Sequence, residues 1–265
     1  MRFHSDDAEI YYEVRDDGPP VVLLHPFPAH HAVWLPAAEL LSARYRLLLP
    51  DLRGHGDSTP GAGPALMEKH AADMERLCDH AGVGRAVFAG VSIGGYVLFK
   101  FWRRFRQRVH ALILCDTRAS ADADEARSNR LKAADDVEQR GPIPFVDSMI
   151  PKLMGESTRT NRPDLVERAR KMMLQMSVAG IAAVQRGMAA RPDSTPILSS
   201  IAVPTLILVG KEDILTPVSN AEEMHRAIPA SRLEVIPGGG HYAVFEQHEA
   251  AGKVVREFLD RLPPW

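Results

Sequence analysis

Six short runs in this chain are apolar almost from end to end, and each is closed by glycine, proline or aspartate. They occupy residues 21–25 (VVLLH), 45–51 (YRLLLPD), 86–90 (AVFAG), 111–116 (ALILCD), 205–210 (TLILVG) and 232–237 (RLEVIP). Runs that stay apolar instead of alternating suit strands covered on both faces, as in a parallel sheet. Between them, residues 32–43, 67–81, 94–105, 218–228 and 249–262 carry apolar positions at helical spacing. Strand and helix in regular succession predict an α/β fold with a doubly wound, mostly parallel sheet. Residues 9–14 (EIYYEV) alternate instead and are expected to form an antiparallel edge strand.

The rhythm breaks between residues 117 and 195, where no strand-like run occurs. Amphipathic helices are expected at 124–139, 163–175 and 179–190. The reading is a core made of residues 1–117 and 196–265, with residues 118–195 inserted as a helical cap over the carboxyl edge of the sheet. That edge is where α/β folds bind ligands. Six of the ten methionines fall in the insertion. Methionine is flexible and polarisable, so Met149, Met154 and Met173 are candidates for an adaptable pocket wall.

A length of 265 residues fits one large domain with an insertion. With 32 basic against 34 acidic residues there is no basic stripe for phosphates, so nucleic acid is not an expected partner. Cys78 and Cys115 are too few for a disulfide framework and form no CxxC pair for a zinc site. The opening MRFHSDDAEIYYEV has no basic-then-apolar leader pattern, and no apolar run approaches the roughly 18 residues of a membrane span. A cytoplasmic protein without a membrane partner is the expectation.

The strongest chemical signal is Gly90-Val91-Ser92-Ile93-Gly94-Gly95, placed between a strand-like run and a helical segment. Small residues around Ser92 allow a sharp strand-to-helix turn that lifts its hydroxyl out of the sheet. A serine hydroxyl is a poor nucleophile without a neighbouring base. Among eleven histidines, His241 follows Pro237-Gly238-Gly239-Gly240 just beyond the last strand-like run, on the same sheet edge. His4, His70, His80, His110, His225 and His248 lack such a setting and are expected at the surface, while His30 and His31 read as loop or pocket-rim residues. The base needs a carboxylate to hold its tautomer. Asp213, three residues past TLILVG, is favoured; Asp116 competes from the preceding strand end, and Glu212 more weakly.

These residues, in the order serine, acid, histidine, resemble an α/β-hydrolase-fold serine hydrolase, most similar to the 3-oxoadipate enol-lactonase and carboxylesterase group. The resemblance rests on Leu24-His25-Pro26-Phe27-Pro28 with Trp34, on the stretch 51–58 (DLRGHGDS), on the turn at Ser92, and on Gly210 to Asp213 with Gly240-His241. It implies an eight-stranded sheet and an oxyanion hole made by the backbone N–H groups of Phe27 and Ile93. Pro26 departs from the family's usual glycine; it has no N–H of its own and a fixed φ, which bears on the geometry of that hole. The stretch 51–58 reads as structural, with His55 a buried loop anchor. The implied reaction is hydrolysis of a small-molecule ester or lactone through an acyl-enzyme, with no metal or organic cofactor, and with activity falling in acid as His241 is protonated. The same triad also serves carbon–carbon bond hydrolases, cofactor-free perhydrolases and low-turnover small-molecule receptors. An enol-lactone substrate would further imply a cation for its carboxylate, from among Arg118, Arg130, Lys152 and Arg191, all of which the sequence alone reads as surface charges.

Overall fold

In the computed structural model, which describes residues 1–41 and 43–264, eight strands form one sheet. In chain order the core begins with β1 (Arg2–Ser5), β2 (Ala8–Arg15), β3 (Pro20–Leu24), the short helix α1 (Leu35–Ala38) and β4 (Arg46–Pro50). It continues with α2 (Met67–His80), β5 (Ala86–Val91), α3 (Ile93–Phe105) and β6 (Val109–Cys115). Five helices follow without a strand: α4 (Asp124–Arg140), α5 (Pro142–Leu153), α6 (Glu156–Asn161), α7 (Pro163–Met173) and α8 (Val178–Ala189). The chain then returns to the core with β7 (Thr205–Gly210), α9 (Val218–Ala227), β8 (Ser231–Ile236), α10 (Ala243–Glu246) and α11 (His248–Leu259).

The strand order is β1-β2-β4-β3-β5-β6-β7-β8. The strand β2 runs antiparallel to both β1 and β4, and all other pairs are parallel. The alternating segment is therefore antiparallel as expected, but β1 covers its outer side and takes the edge. Four residues with only Phe3 and Ser5 buried are too short a pattern to read from sequence. The strands β5, β6 and β7 are buried at every position, which is why their sequences do not alternate. On α2 the buried residues Met67, His70, Ala71, Met74, Leu77 and Cys78 fall at helical spacing and form its inward face.

The expected helix over 32–43 is largely absent. His30 caps a 3₁₀ turn, His31–Val33, and α1 ends at Ala38. Leu40 and Leu41 then bond three residues back, and Ala43 adopts a positive φ of 65° that stops the helix. In the insertion, α4, α7 and α8 coincide with the expected helices. The added helix α5 carries Pro142 at its first position, where no intrahelical N–H is needed.

From β3 the chain passes to β4 on one side, and β5 lies on the other side of β3. The carboxyl ends of β3 and β5, paired at Leu24 and Gly90, thus form a topological switch point, where such sheets open a crevice.

Candidate functional site

The first residue beyond β5 is Ser92, whose backbone (φ 53°, ψ −111°) lies in a region that costs a non-glycine residue roughly 1–3 kcal/mol. Surrounding bonds hold it there. Its N–H donates to Cys115 O (3.0 Å), and its carbonyl accepts from the Thr117 hydroxyl (2.8 Å). The turn is tight enough that a Cβ on Gly90 would stand 2.5 Å from the Gly94 carbonyl carbon, so a side chain there is excluded. The hydroxyl projects into a cavity of about 500 Å³ lying between the sheet edge and the helical insertion.

The loop after β8 brings His241 over Ser92, with Nε2 2.8 Å from Oγ. Its other ring nitrogen, Nδ1, lies 2.8 Å from Asp213 Oδ2. Asp213 in turn accepts the Leu215 and Thr216 N–H groups and the Thr216 hydroxyl. Burial alone would raise this carboxyl, but His241 and Thr216 outweigh it and hold it at about 2. Of the competing acids, Asp116 accepts Gly210 N–H (2.7 Å) and does not reach the imidazole. Its carboxyl is pushed well up by complete burial and by the Asp213 charge. Glu212 turns to the insertion and accepts from Ser157.

The His241 loop is fastened on several sides. Its own N–H donates to Leu153 O (2.9 Å) at the end of α5. The buried Glu246 carboxylate accepts Gly240 N–H and Tyr242 N–H on one oxygen and Gly155 N–H on the other. Insertion and imidazole loop therefore share one anchor. Across the site, Tyr242 donates its hydroxyl to Phe27 O (3.1 Å). The Phe27 loop is also fixed by His25, whose Nδ1 donates to Pro26 O while Nε2 accepts Leu52 N–H. Pro26 is accommodated, and the Phe27–Pro28 bond is cis. Among the described residues, the backbone N–H groups of Phe27 and Ile93 donate to no protein acceptor. Thr216, Tyr242 and Glu246 were not legible as site residues; only the Asp-x-x-Thr spacing of an Asx turn marks the first.

Other expectations are redistributed. Met149 lines the cavity together with Met188, whereas Met154 and Met173 are buried in packing away from it. His55 is the buried anchor expected, its Nδ1 donating to Arg53 O and Leu52 O, and burial pushes its imidazole down to about 4. His70 and His110 are buried, not at the surface: His70 lies on the inward face of α2 and His110 within β6. Nor are the four cations all surface charges. Arg191 is shut inside, Arg118, Arg130 and Lys152 line the cavity, and of these only Lys152 is exposed.

One set of metal-ligating side chains lies together among the described residues: His30, His31 and Asp51, with ligand atoms within 4.8 Å of one another. His31 places one nitrogen 2.7 Å from Asp51 and the other 3.1 Å from Glu13. Asp51 also accepts the His31 and Asp57 N–H groups. His31, Asp51 and Glu13 thus form a hydrogen-bond network joining β2 to the β4 loop, and His30 lies beside it with its buried Nε2 unpartnered among the described residues.

Asp51, like Asp213, is held at about 2, burial being outweighed by His31 and His25. A carboxyl whose folded pKa lies below its unfolded value stabilises the fold above the unfolded value, and that stability is lost as pH falls through the folded one. Urea midpoints are expected to drop between pH about 4 and about 2, by the equivalent of about 2 kcal/mol per carboxylate. A midpoint flat across that window contradicts these assignments.

The chain is similar to known hydrolases along nearly its whole length. The chain is 41% identical to a thermophilic esterase from Thermogutta terrifontis (malate bound), superposing with a TM-score of 0.96 over 99% of this chain and 98% of that one. It is 25% identical to the enol-lactonase from Burkholderia xenovorans LB400, with a TM-score of 0.92 over 98% and 100% of the two chains. It is likewise 25% identical to 3-oxoadipate enol-lactonase 2 of Acinetobacter baylyi, over 92% of this chain and 90% of that protein. The family model described as alpha/beta hydrolase fold matches residues 19–247, and the chain belongs to that family.

Proposed function

We propose that the protein is a serine hydrolase that cleaves a carboxylic ester or lactone of a small molecule through an acyl-enzyme. The observation that carries this reading is the unbroken relay from Asp213 Oδ2 through His241 to Ser92 Oγ, both links at 2.8 Å, opening on the cavity. In this reading residues 118–195 form the cap over a core of residues 1–117 and 196–265. Ser92 Oγ attacks the carbonyl carbon while His241 Nε2 takes its proton, and Asp213 stabilises the imidazolium. The N–H groups of Phe27 and Ile93 receive the oxyanion, which their freedom from protein acceptors supports. His241 then protonates the departing alcohol and activates the water that releases the acid. The similarity to an esterase and to enol-lactonases supports the same class of chemistry.

The test is hydrolysis of p-nitrophenyl esters from acetate to decanoate, with a simple lactone alongside. Turnover peaking at one chain length is expected, and the peak measures the depth of the cavity. No turnover by folded protein on any of these substrates removes the esterase reading.

Tyr242→Phe tests the oxyanion loop. Losing a hydrogen bond worth about 1 kcal/mol to Phe27 O frees a donor that acts on the developing charge, so kcat is expected to fall roughly five- to tenfold with little change in KM. Unchanged kcat contradicts a positioning role for this hydroxyl.

A further inference from the structure

His30, His31 and Asp51 are all buried, and each offers a ligand atom within 4.8 Å of the others. None of the three lines the cavity that opens at Ser92, and the relay to the serine does not pass through them. Three parts of the core meet there: the loop after β3 that carries Phe27, the end of β4, and the strand β2 through Glu13.

Two of these side chains already have the surroundings that metal ligands need. His31 Nδ1 and Asp51 Oδ1 stand 2.7 Å apart with a proton between them, since two bare lone pairs would repel at that distance. The other ring nitrogen, Nε2, lies 3.1 Å from Glu13 Oε1. A histidine that ligates a metal through one nitrogen commonly donates its other N–H to a carboxylate, which orients the ring and raises its basicity. Glu13 is itself held, its second oxygen accepting from Arg15. Asp51 is anchored too, with Oδ1 accepting His31 N–H and Oδ2 accepting Asp57 N–H.

The third side chain, His30, is uncommitted. It is 7% exposed, and its Nδ1 takes only a long 3.4 Å contact from Ala32 N–H. Its Nε2 is buried without a partner among the described residues, an arrangement that native structures keep rarely and at a cost. A tetrahedral zinc with bonds of about 2.0–2.1 Å holds its ligand atoms roughly 3.3 Å apart. Spacings between 2.7 Å and 4.8 Å reach that arrangement by side-chain shifts on the order of an ångström. Two imidazoles and a carboxylate suit zinc and its neighbours in the transition series, whereas magnesium and calcium take mainly oxygen ligands.

We propose that His30, His31 and Asp51 bind a zinc-class divalent cation, with Glu13 behind His31 and water completing the coordination. The metal takes the place of the proton between His31 Nδ1 and Asp51 Oδ1, which leaves to solvent. Its role is structural: it fastens the Phe27 loop to the end of β4 from outside the cavity. The site stands independently of the hydrolase reading.

The experiment titrates zinc chloride into untagged, chelator-treated protein by calorimetry, and follows melting with zinc, magnesium or calcium. One zinc per chain is expected, with micromolar or tighter affinity. The melting point is expected to rise by about 5 °C or more once free zinc exceeds the dissociation constant about 100-fold, with little effect of magnesium or calcium. Loss of an outer partner alone weakens a metal site about 10–100-fold, so Glu13→Gln is expected to cost about tenfold and loss of a ligand in His30→Gln about 100-fold or more. His30→Gln removes only one long contact and is expected to melt as the metal-free parent does. Should it fail to fold, Glu13→Gln at its half-buried strand position decides. The catalytic imidazole is the competing zinc ligand, and His241→Ala is expected to leave both stoichiometry and affinity unchanged. Absence of zinc binding, or binding that neither Glu13→Gln nor His30→Gln weakens, overturns the site. So does binding that His241→Ala abolishes, or a melting shift that magnesium reproduces.

Discussion

Ser92→Ala is expected to lower ester turnover by at least about 10⁴-fold while leaving the fold and substrate binding nearly intact. The hydroxyl lies 2.8 Å from the His241 imidazole and is presented by a strained turn. Its removal deletes the covalent route, leaving only the polarising effect of the N–H groups at Phe27 and Ile93. Alanine at this position keeps the donors to Cys115 O and from Thr117, which involve backbone atoms of residue 92 and not its side chain. Thermal stability is therefore expected to match or slightly exceed the parent. Steady-state kinetics with a p-nitrophenyl ester and a melting curve check both halves. Residual activity within about tenfold of the parent would place the nucleophile elsewhere.

The second large effect separates two buried aspartates. Asp213→Asn is expected to cost about 10³–10⁴-fold in kcat, because the amide either offers N–H to His241 Nδ1 or fails to stabilise the imidazolium. Asp116→Asn, by contrast, is expected to remain within about tenfold of the parent. Burial and the Asp213 charge push the Asp116 carboxyl well up, toward the neutral form that the nearly isosteric amide reproduces. Its acceptor bond to Gly210 N–H survives the change. The reverse ranking in kcat would transfer the role of acid to the β6 end.

The same pair illustrates what was legible beforehand. Asp116 and Asp213 both follow apolar runs on one sheet edge, and one-dimensional spacing favoured the second without excluding the first. The decision lies in a 2.8 Å contact made by a loop 28 residues away. The strands β3 to β7 were readable because burial on both faces leaves an apolar run, whereas β8, half-buried at the sheet's edge, left a run that is only partly apolar. Where one face meets solvent over four residues, as in β1, the pattern carries no comparable signal. The helix expected over 32–43 failed because apolar spacing continued past the point where Ala43 turns to positive φ.

Polar residues were the harder part. His70 sits on a helix with charged neighbours, yet its position at the spacing of Met67, Ala71 and Met74 turns it inward, where burial pushes its imidazole well down. Arg118, Arg130 and Arg191 gave no sign of converging, since their meeting point, Asp122, is separated from Arg191 by the whole of the helical insertion. The methionines were readable as a group and not singly: Met149 faces the cavity, while Met173 on α7 is buried in packing.

The central claim, an acyl-enzyme on Ser92, is tested most directly by intact-mass and peptide-mass analysis after treatment with a p-nitrophenyl alkylphosphonate. Attack by Ser92 Oγ on phosphorus displaces p-nitrophenolate and leaves a stable adduct that mimics the tetrahedral state. The account predicts one phosphonyl group per chain, carried on the peptide containing Ser92, with loss of ester turnover in step and no adduct on Ser92→Ala. An unmodified chain, or a label on another residue with Ser92 untouched, would contradict it.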